Sequence, residues 1–172
     1  MTARPAGLAG DPGDRAARDL ATRAAGEWSG GESDGRGIVG VGIDAVDLDR
    51  FATVLARRPR LAVRLFSGAE RAYAATAPDP VPRLAARFAA KEAVMKALGV
   101  GLWSFRLTDV EVVRDGSDAP TLVLHGGAAD LAATRGVARW HLSLTHTGTV
   151  ALAVVVAERG GDGPDARPAR VS

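Results

Sequence analysis

Arg83-Leu-Ala-Ala-Arg87-Phe-Ala-Ala-Lys91-Glu92-Ala-Val-Met-Lys96-Ala-Leu98-Gly99 is the stretch whose reading decides the fold of this chain. Alanine and unbranched side chains lose little freedom in a helix, proline is tolerated in the first turn, and glycine just past the last turn accepts a left-handed cap. The run is alanine-rich, follows Pro82 and ends on Gly99, so it predicts a central helix from Arg83 to Leu98. That helix carries both lysines of the chain; the other twenty of its 22 basic residues are arginine. Arginine is a planar fork of fixed donors, whereas lysine is a compact point charge on a flexible stem, suited to a phosphate oxygen. Lys91 and Lys96 therefore read either as a chance pairing on a solvated face or as two positions that need an ammonium.

On the N-terminal side, Ile38-Val-Gly-Val-Gly-Ile43-Asp44 alternates with β-branched residues and predicts a strand whose glycines admit another backbone closely. Val46, Phe51, Val54 and Leu55 keep helical spacing up to Pro59, which stops it. Leu61–Phe66 adds a short turn, Ser67-Gly-Ala-Glu70 has the form of a capping box, and Pro78 to Pro82 reads as a loop. On the C-terminal side come strands at Leu107–Val113 and Thr121–Leu124 around an Asp115-Gly116 turn, then a short helix at Ala128–Thr134. Strands at Trp140–Thr145 and Val150–Val156 follow, joined through Thr147-Gly148. Helices and strands do not alternate regularly, so the class is α+β, an antiparallel sheet packed on a long central helix, rather than a doubly wound sheet.

Residues 1–36, rich in Gly, Ala, Asp and Arg, are expected to be a disordered tail, 37–158 the domain, and 159–172 a flexible end. At 172 residues with 47% hydrophobic and 24% charged content, a single soluble globular domain is expected. A net charge of +2 does not make the basic surface that nucleic acid demands. With no cysteine there is no disulfide, thiolate nucleophile or Cys-bound zinc. No signal peptide opens the chain, and the longest apolar run, Val150–Ala157, is too short for a membrane span, so the expected compartment is the cytoplasm.

Asp44 ends the first strand and Glu92 lies on the central helix between the two lysines. Hard carboxylate oxygens from two elements beside ammonium groups are what a Mg²⁺-phosphate site needs, because magnesium takes one or two protein carboxylates and leaves its other positions to water and phosphate. Glu92 and Lys96 are also spaced i,i+4, the arrangement of a surface ion pair worth about 0.2–0.5 kcal/mol, so this pair alone leaves both readings open. Gly40-Val-Gly42-Ile-Asp44-Ala45 fits a dinucleotide fingerprint only loosely: its glycines lie inside the strand and no acid follows a second strand, which rejects that reading. His141 and His146 are five apart, so on a regular strand they face opposite sides and cannot share a zinc. His141, Ser143 and Thr145 share one face, either as contacts to a phosphate or nucleoside or as polar groups beside a turn. Arg50, Arg57, Arg58, Arg60 and Arg64 crowd the first helix and its continuation, as a solvated face or as a docking patch for an acidic partner.

Three motifs in order, Gly40-x-Gly42-x-Asp44, Arg87-Phe88-x-x-Lys91-Glu92-x-x-x-Lys96-Ala97-x-Gly99-x-Gly101 and His141-x-Ser143-x-Thr145-His146, resemble the holo-(acyl carrier protein) synthase family, the small 4′-phosphopantetheinyl transferases. The resemblance runs from Gly37 to Glu158 and omits both tails. It implies a single domain of that type, in which Asp44, Glu92 and Lys96 are catalytic. Asp44 and Glu92 hold Mg²⁺ with the pyrophosphate of coenzyme A, and Lys96, with Lys91 or Arg87, neutralises phosphate charge. Gly99 and Gly101 then let the backbone approach coenzyme A. The implied reaction moves phosphopantetheine to a serine hydroxyl of an apo acyl carrier protein and releases 3′,5′-ADP, in fatty-acid or polyketide synthesis. Arg50, Arg57 and Arg60 form the core of the carrier's docking surface. The implied assembly is a homotrimer in which His141 or Ser143 reaches a neighbour's coenzyme. The competing expectation is a protein that binds coenzyme A or phosphate in the same pocket without turnover.

Overall fold

In the computed structural model, which describes residues 37–102, 104–114 and 119–160, the chain enters its fold as a ten-residue strand, β1 (Ile38–Asp47). The strand outlasts the predicted Asp44 because Ala45, Val46 and Asp47 stay paired with the last strand of the chain. Asp47 then caps the next helix, its carboxylate accepting the Arg50 amide at 2.8 Å, and α1 (Leu48–Arg57) runs until Pro59 intervenes before α2 (Arg60–Leu65). The capping box forms as predicted at α3 (Gly68–Ala75): Ser67 Oγ accepts the Glu70 amide at 3.1 Å and the Glu70 carboxylate accepts the Ser67 amide at 2.9 Å.

The central helix, α4 (Val81–Ala97), starts two residues earlier than predicted, since Pro82 fits inside its first turn, and Gly99 beyond its end adopts φ 64° as the cap requires. Leu84, Ala85, Ala89, Ala90, Ala93, Val94 and Met95 are all buried, so the helix is enclosed on most of its circumference. A 3₁₀ turn (Leu107–Asp109) leads into β2 (Val110–Arg114), which pairs antiparallel with β3 (Pro120–Leu124). The sequence pattern runs that strand back to Leu107; these residues turn instead, sinking Leu107 into the core. The helix α5 (Gly126–Thr134) and the hairpin of β4 (Val137–His146) and β5 (Val150–Arg159) complete the domain. Arg159, assigned by composition to the tail, still belongs to β5 and donates its amide to Gly37 O at 2.8 Å. The Asp115-Gly116 turn, the 1–36 tail and the chain past Gly160 lie outside the described residues.

Among the described residues the strands form a three-stranded antiparallel sheet, order β1-β5-β4, and the separate β2-β3 ribbon. The α4 helix lies along one face of the larger sheet, in contact with β1, β5 and β4. Two glycines set how closely. A Cβ on Gly40 would fall 1.9 Å from Ala97 O, and one on Gly42 would fall 1.8 Å from Ala93 O, so backbone meets backbone across small residues on both sides. Alternation puts Gly42, Asp44 and Val46 on this helix-facing side, opposite Val155, Ala153 and Ala151 of β5, while Val41, Ile43 and Ala45 face outward.

Candidate active site

Asp44 thus arrives beside α4 by register. Lys96 Nζ donates to Asp44 Oδ1 at 2.8 Å and to Ile43 O at 2.9 Å, and the two side chains retain 52% and 12% exposure, so the pair lies at the lip of the helix–strand seam. Glu92 stands one turn before Lys96 on α4. Partial burial holds its carboxyl above the usual carboxylate range; the nearby charge of Asp44 pushes the same way and Lys96 opposes it. The sequence left Glu92–Lys96 as a candidate surface pair, whereas the ammonium crosses to the strand and binds Asp44.

Two carboxylates therefore face one ammonium, an arrangement short of positive charge and open at one edge. That donor set fits a magnesium ion, which asks for few protein oxygens and keeps room for others. No group of three or more His, Cys, Asp or Glu among the described residues could hold a metal by itself. A cation here must therefore complete its shell from water or from substrate oxygens.

The other sequence-predicted residues do not all converge here. Lys91, expected at a phosphate, is fully buried: Nζ donates to Glu70 Oε2 at 2.8 Å, to Leu107 O at 3.0 Å and to Val110 O. This corrects its assignment, because its face of the helix points into the protein and no ligand can reach it. Arg87 is also buried, its guanidinium 4.3 Å from the centre of the Tyr73 ring and Nη1 donating to Arg83 O at 3.1 Å. Its Nε has no hydrogen-bond partner. Arg83, Arg87 and Arg114 all stack about Tyr73 and, with Thr145 and His146, line a cleft of about 480 Å³.

His141 and Ser143 lie on the outer face of the sheet, opposite Val156 and Val154, and His141 Nε2 is 2.8 Å from Glu158 Oε2; within one chain neither joins Asp44 and Glu92. The position that does reach the helix side of β4 is His146, on the same face as Leu142 and Leu144. Its signal was the strand period, which puts it opposite His141. Gly99 serves as the helix cap, and Gly101 is exposed with open space about it. Arg50, Arg57 and Arg60 are exposed on α1 and α2.

A family model described as the 4′-phosphopantetheinyl transferase superfamily matches residues 40–155, from the glycine pair of β1 into β5. The chain belongs to the holo-(acyl carrier protein) synthase family. It is 55% identical over 124 residues to the holo-[acyl-carrier-protein] synthase of Frankia casuarinae, covering 70% of this chain and 98% of that one. The crystal structure of the Bacillus anthracis synthase in complex with coenzyme A (3′,5′-ADP) matches with a TM-score of 0.60 at 32% identity, covering 72% of this chain and 98% of its own. The acyl carrier protein synthase of Mycobacterium tuberculosis matches with a TM-score of 0.57 at 38% identity, covering 72% and 100%. A synthase of this family is a transferase, and its matched region takes in Asp44, Glu92 and Lys96. No helix among the described residues is long and apolar enough to cross a membrane.

Proposed function

We propose that this protein transfers 4′-phosphopantetheine from coenzyme A to a serine hydroxyl of an apo acyl carrier protein. The serine oxygen attacks the β-phosphorus and its hydroxyl proton is given up to solvent, the bond from that phosphorus to the bridging oxygen breaks, and 3′,5′-ADP leaves with the electron pair. The observation that carries this reading is the convergence of Asp44, Glu92 and Lys96 at one open seam in a chain of this family. Asp44 and Glu92 would hold Mg²⁺, which supplies charge neutralisation at the pyrophosphate. Lys96, a half-exposed ammonium on a flexible stem, reaches the leaving oxygen as its charge develops. Arg87 with its neighbours Arg83, Arg114 and His146 offers the Tyr73 cleft to a further phosphate of the coenzyme.

The carrier docks on Arg50, Arg57 and Arg60, which present guanidinium groups to solvent on two adjacent helices. Assembly into a homotrimer accounts for the outer face of the sheet. There Val41 and Ile43 are 45% and 54% exposed beside Leu152, Val154 and Val156, a contiguous apolar surface of the kind that marks an interface. His141 and Ser143 border that face, in reach of a neighbouring copy. The supporting compartment is the cytoplasm, where coenzyme A and carriers of fatty-acid or polyketide synthesis meet.

Incubation with coenzyme A, Mg²⁺ and apo carrier protein, followed by mass spectrometry of the carrier, tests the reading. A gain of one phosphopantetheine supports it. Coenzyme A binding with no gain on any carrier tested would instead identify a binding protein.

A further inference from the structure

Lys91 and Glu70 are the most enclosed charges among the described residues, both fully buried, and nothing in the reaction as proposed uses them. The Lys91 ammonium has three acceptors, Glu70 Oε2 from α3, Leu107 O from the 3₁₀ turn and Val110 O at the start of β2. Glu70 is itself held, its Oε2 accepting the Ser67 amide and its Oε1 accepting the Val112 amide at 3.1 Å. One buried pair thus ties α4 to α3, to the turn and to the β2-β3 ribbon.

The helix needs such a tie. Where it meets β1 it presents Ala93 and Ala97 to Gly42 and Gly40, so that seam has no side chain long enough to interlock, while Leu84, Val94 and Met95 pack on its other sides. A seam of glycine and alanine by itself resists a roll of the helix only weakly. Glu92 follows Lys91 directly, about 100° further round the axis and on the side that meets β1. A roll of about 10° moves a carboxylate carried roughly 6 Å from the axis by about 1 Å, enough to part it from Asp44 as a shared site.

We propose that Lys91, through Glu70, is a positioning residue that fixes the roll of α4 and so aims Glu92 at Asp44. The inference rests on the metal role proposed above for Glu92. Burial pushes the Lys91 ammonium below its usual range while Glu70 opposes this.

Truncating one partner would leave a buried charge alone, so the test removes both. In Lys91→Met/Glu70→Leu the pair becomes apolar at similar volume, which removes both buried charges but takes a partner from the Ser67 and Val112 amides and from the Leu107 and Val110 carbonyls, so some stability is lost. Mn²⁺ binding, followed by electron paramagnetic resonance without substrate, and kcat and KM for the carrier are measured beside thermal unfolding. In a variant that is still folded at the assay temperature, a positioning role predicts roughly tenfold or greater loss in Mn²⁺ affinity, a lower kcat and an unchanged KM. A folded double variant with wild-type Mn²⁺ affinity overturns it. Should that variant not fold, Glu70→Gln, which keeps shape but loses the ion pair, is read on the same criteria. Glu92→Gln is the control: if it too binds Mn²⁺ as wild type, the metal reading itself has failed, whereas loss in this control alone condemns only the positioning role.

Discussion

Among the described glycines Gly42 lies tightest against its neighbours, which makes Gly42→Ala a demanding substitution. The new Cβ would lie 1.8 Å from Ala93 O, 2.7 Å from Ala93 C and 2.9 Å from Ala97 N, all backbone atoms of α4. Tight contact ends near 3.4 Å, so β1 and α4 must part by about 1.6 Å. The far side of α4 is buried against the core whereas β1 is an edge strand, so the strand yields more easily. The strand therefore lifts, and Asp44, two residues on and on the same face, lifts with it. The flexible Lys96 stem can follow Asp44, but the Glu92 carboxylate, carried on the shorter side chain from α4, is then misplaced relative to Asp44. Overpacking of this kind costs about 1–3 kcal/mol of stability, and a misplacement of about 1 Å costs about 10²-fold in rate. Urea denaturation and carrier modification by mass spectrometry read the two effects separately, with kcat falling about 100-fold and carrier KM unchanged. Gly68→Ala, at a position with nothing within 4 Å, is the matched control and should be near neutral. A folded Gly42→Ala protein with wild-type kcat would refute the claim that backbone contact between β1 and α4 assembles the site.

Glu92→Gln should lower kcat by roughly 10²-fold or more while leaving the fold intact, so surviving transfer rules out the metal role. Because the Glu92 pKa is raised in the fold above its ordinary 4.5, the metal-free protein should gain stability as pH falls from the raised value towards 4.5 and no further from this group. Glu92→Gln should flatten that segment of the stability curve, and an unchanged curve in urea titrations at stepped pH contradicts the shift. Charge reversal by Arg50→Glu should raise carrier KM most at low salt, where the Debye length is about 30 Å at 0.01 M, and least at 0.15 M, where it is about 8 Å; a salt-independent KM removes Arg50 from the docking surface. Ile43→Lys places a charge on the outer face of the sheet and should shift the light-scattering mass towards the monomer, whereas an unaltered mass means that this face is not the interface.

Signals that act locally were read correctly from the sequence. The Ser67/Glu70 capping box, the Gly99 cap and the glycine-bearing strand depend on neighbours within a few residues, and each formed. Boundaries moved where tertiary pairing overrode propensity, as at β1, which β5 holds extended to Asp47, and at Leu107, which the core draws into a turn. Asp44, Glu92 and Lys96 were named from residue chemistry, and the register delivers them together. Their partners were not all legible: nothing in the spacing says that Lys96 prefers Asp44 across the seam to Glu92 on its own helix. Arg83, Arg114 and Tyr73 form one cleft from three separate elements, and only the fold brings them near His146.

The two lysines show where a shared residue type hides two different demands. Five positions on an α-helix subtend about 140°, so Lys91 and Lys96 could never have served one phosphate from one face. Lys91 sits where three acceptors from three elements close round a single point, which a compact ammonium satisfies and a planar guanidinium does not. Lys96 sits at the lip of the seam, half exposed on a stem long enough to hold Asp44 and the Ile43 carbonyl and still swing towards a charged ligand. The inner position suits a small charge and the outer one a mobile charge, and the arginine that this chain uses twenty times elsewhere supplies neither as well. Arginine at Lys91 should therefore fail at folding, by overfilling a closed socket, while arginine at Lys96 should fold and fail at turnover.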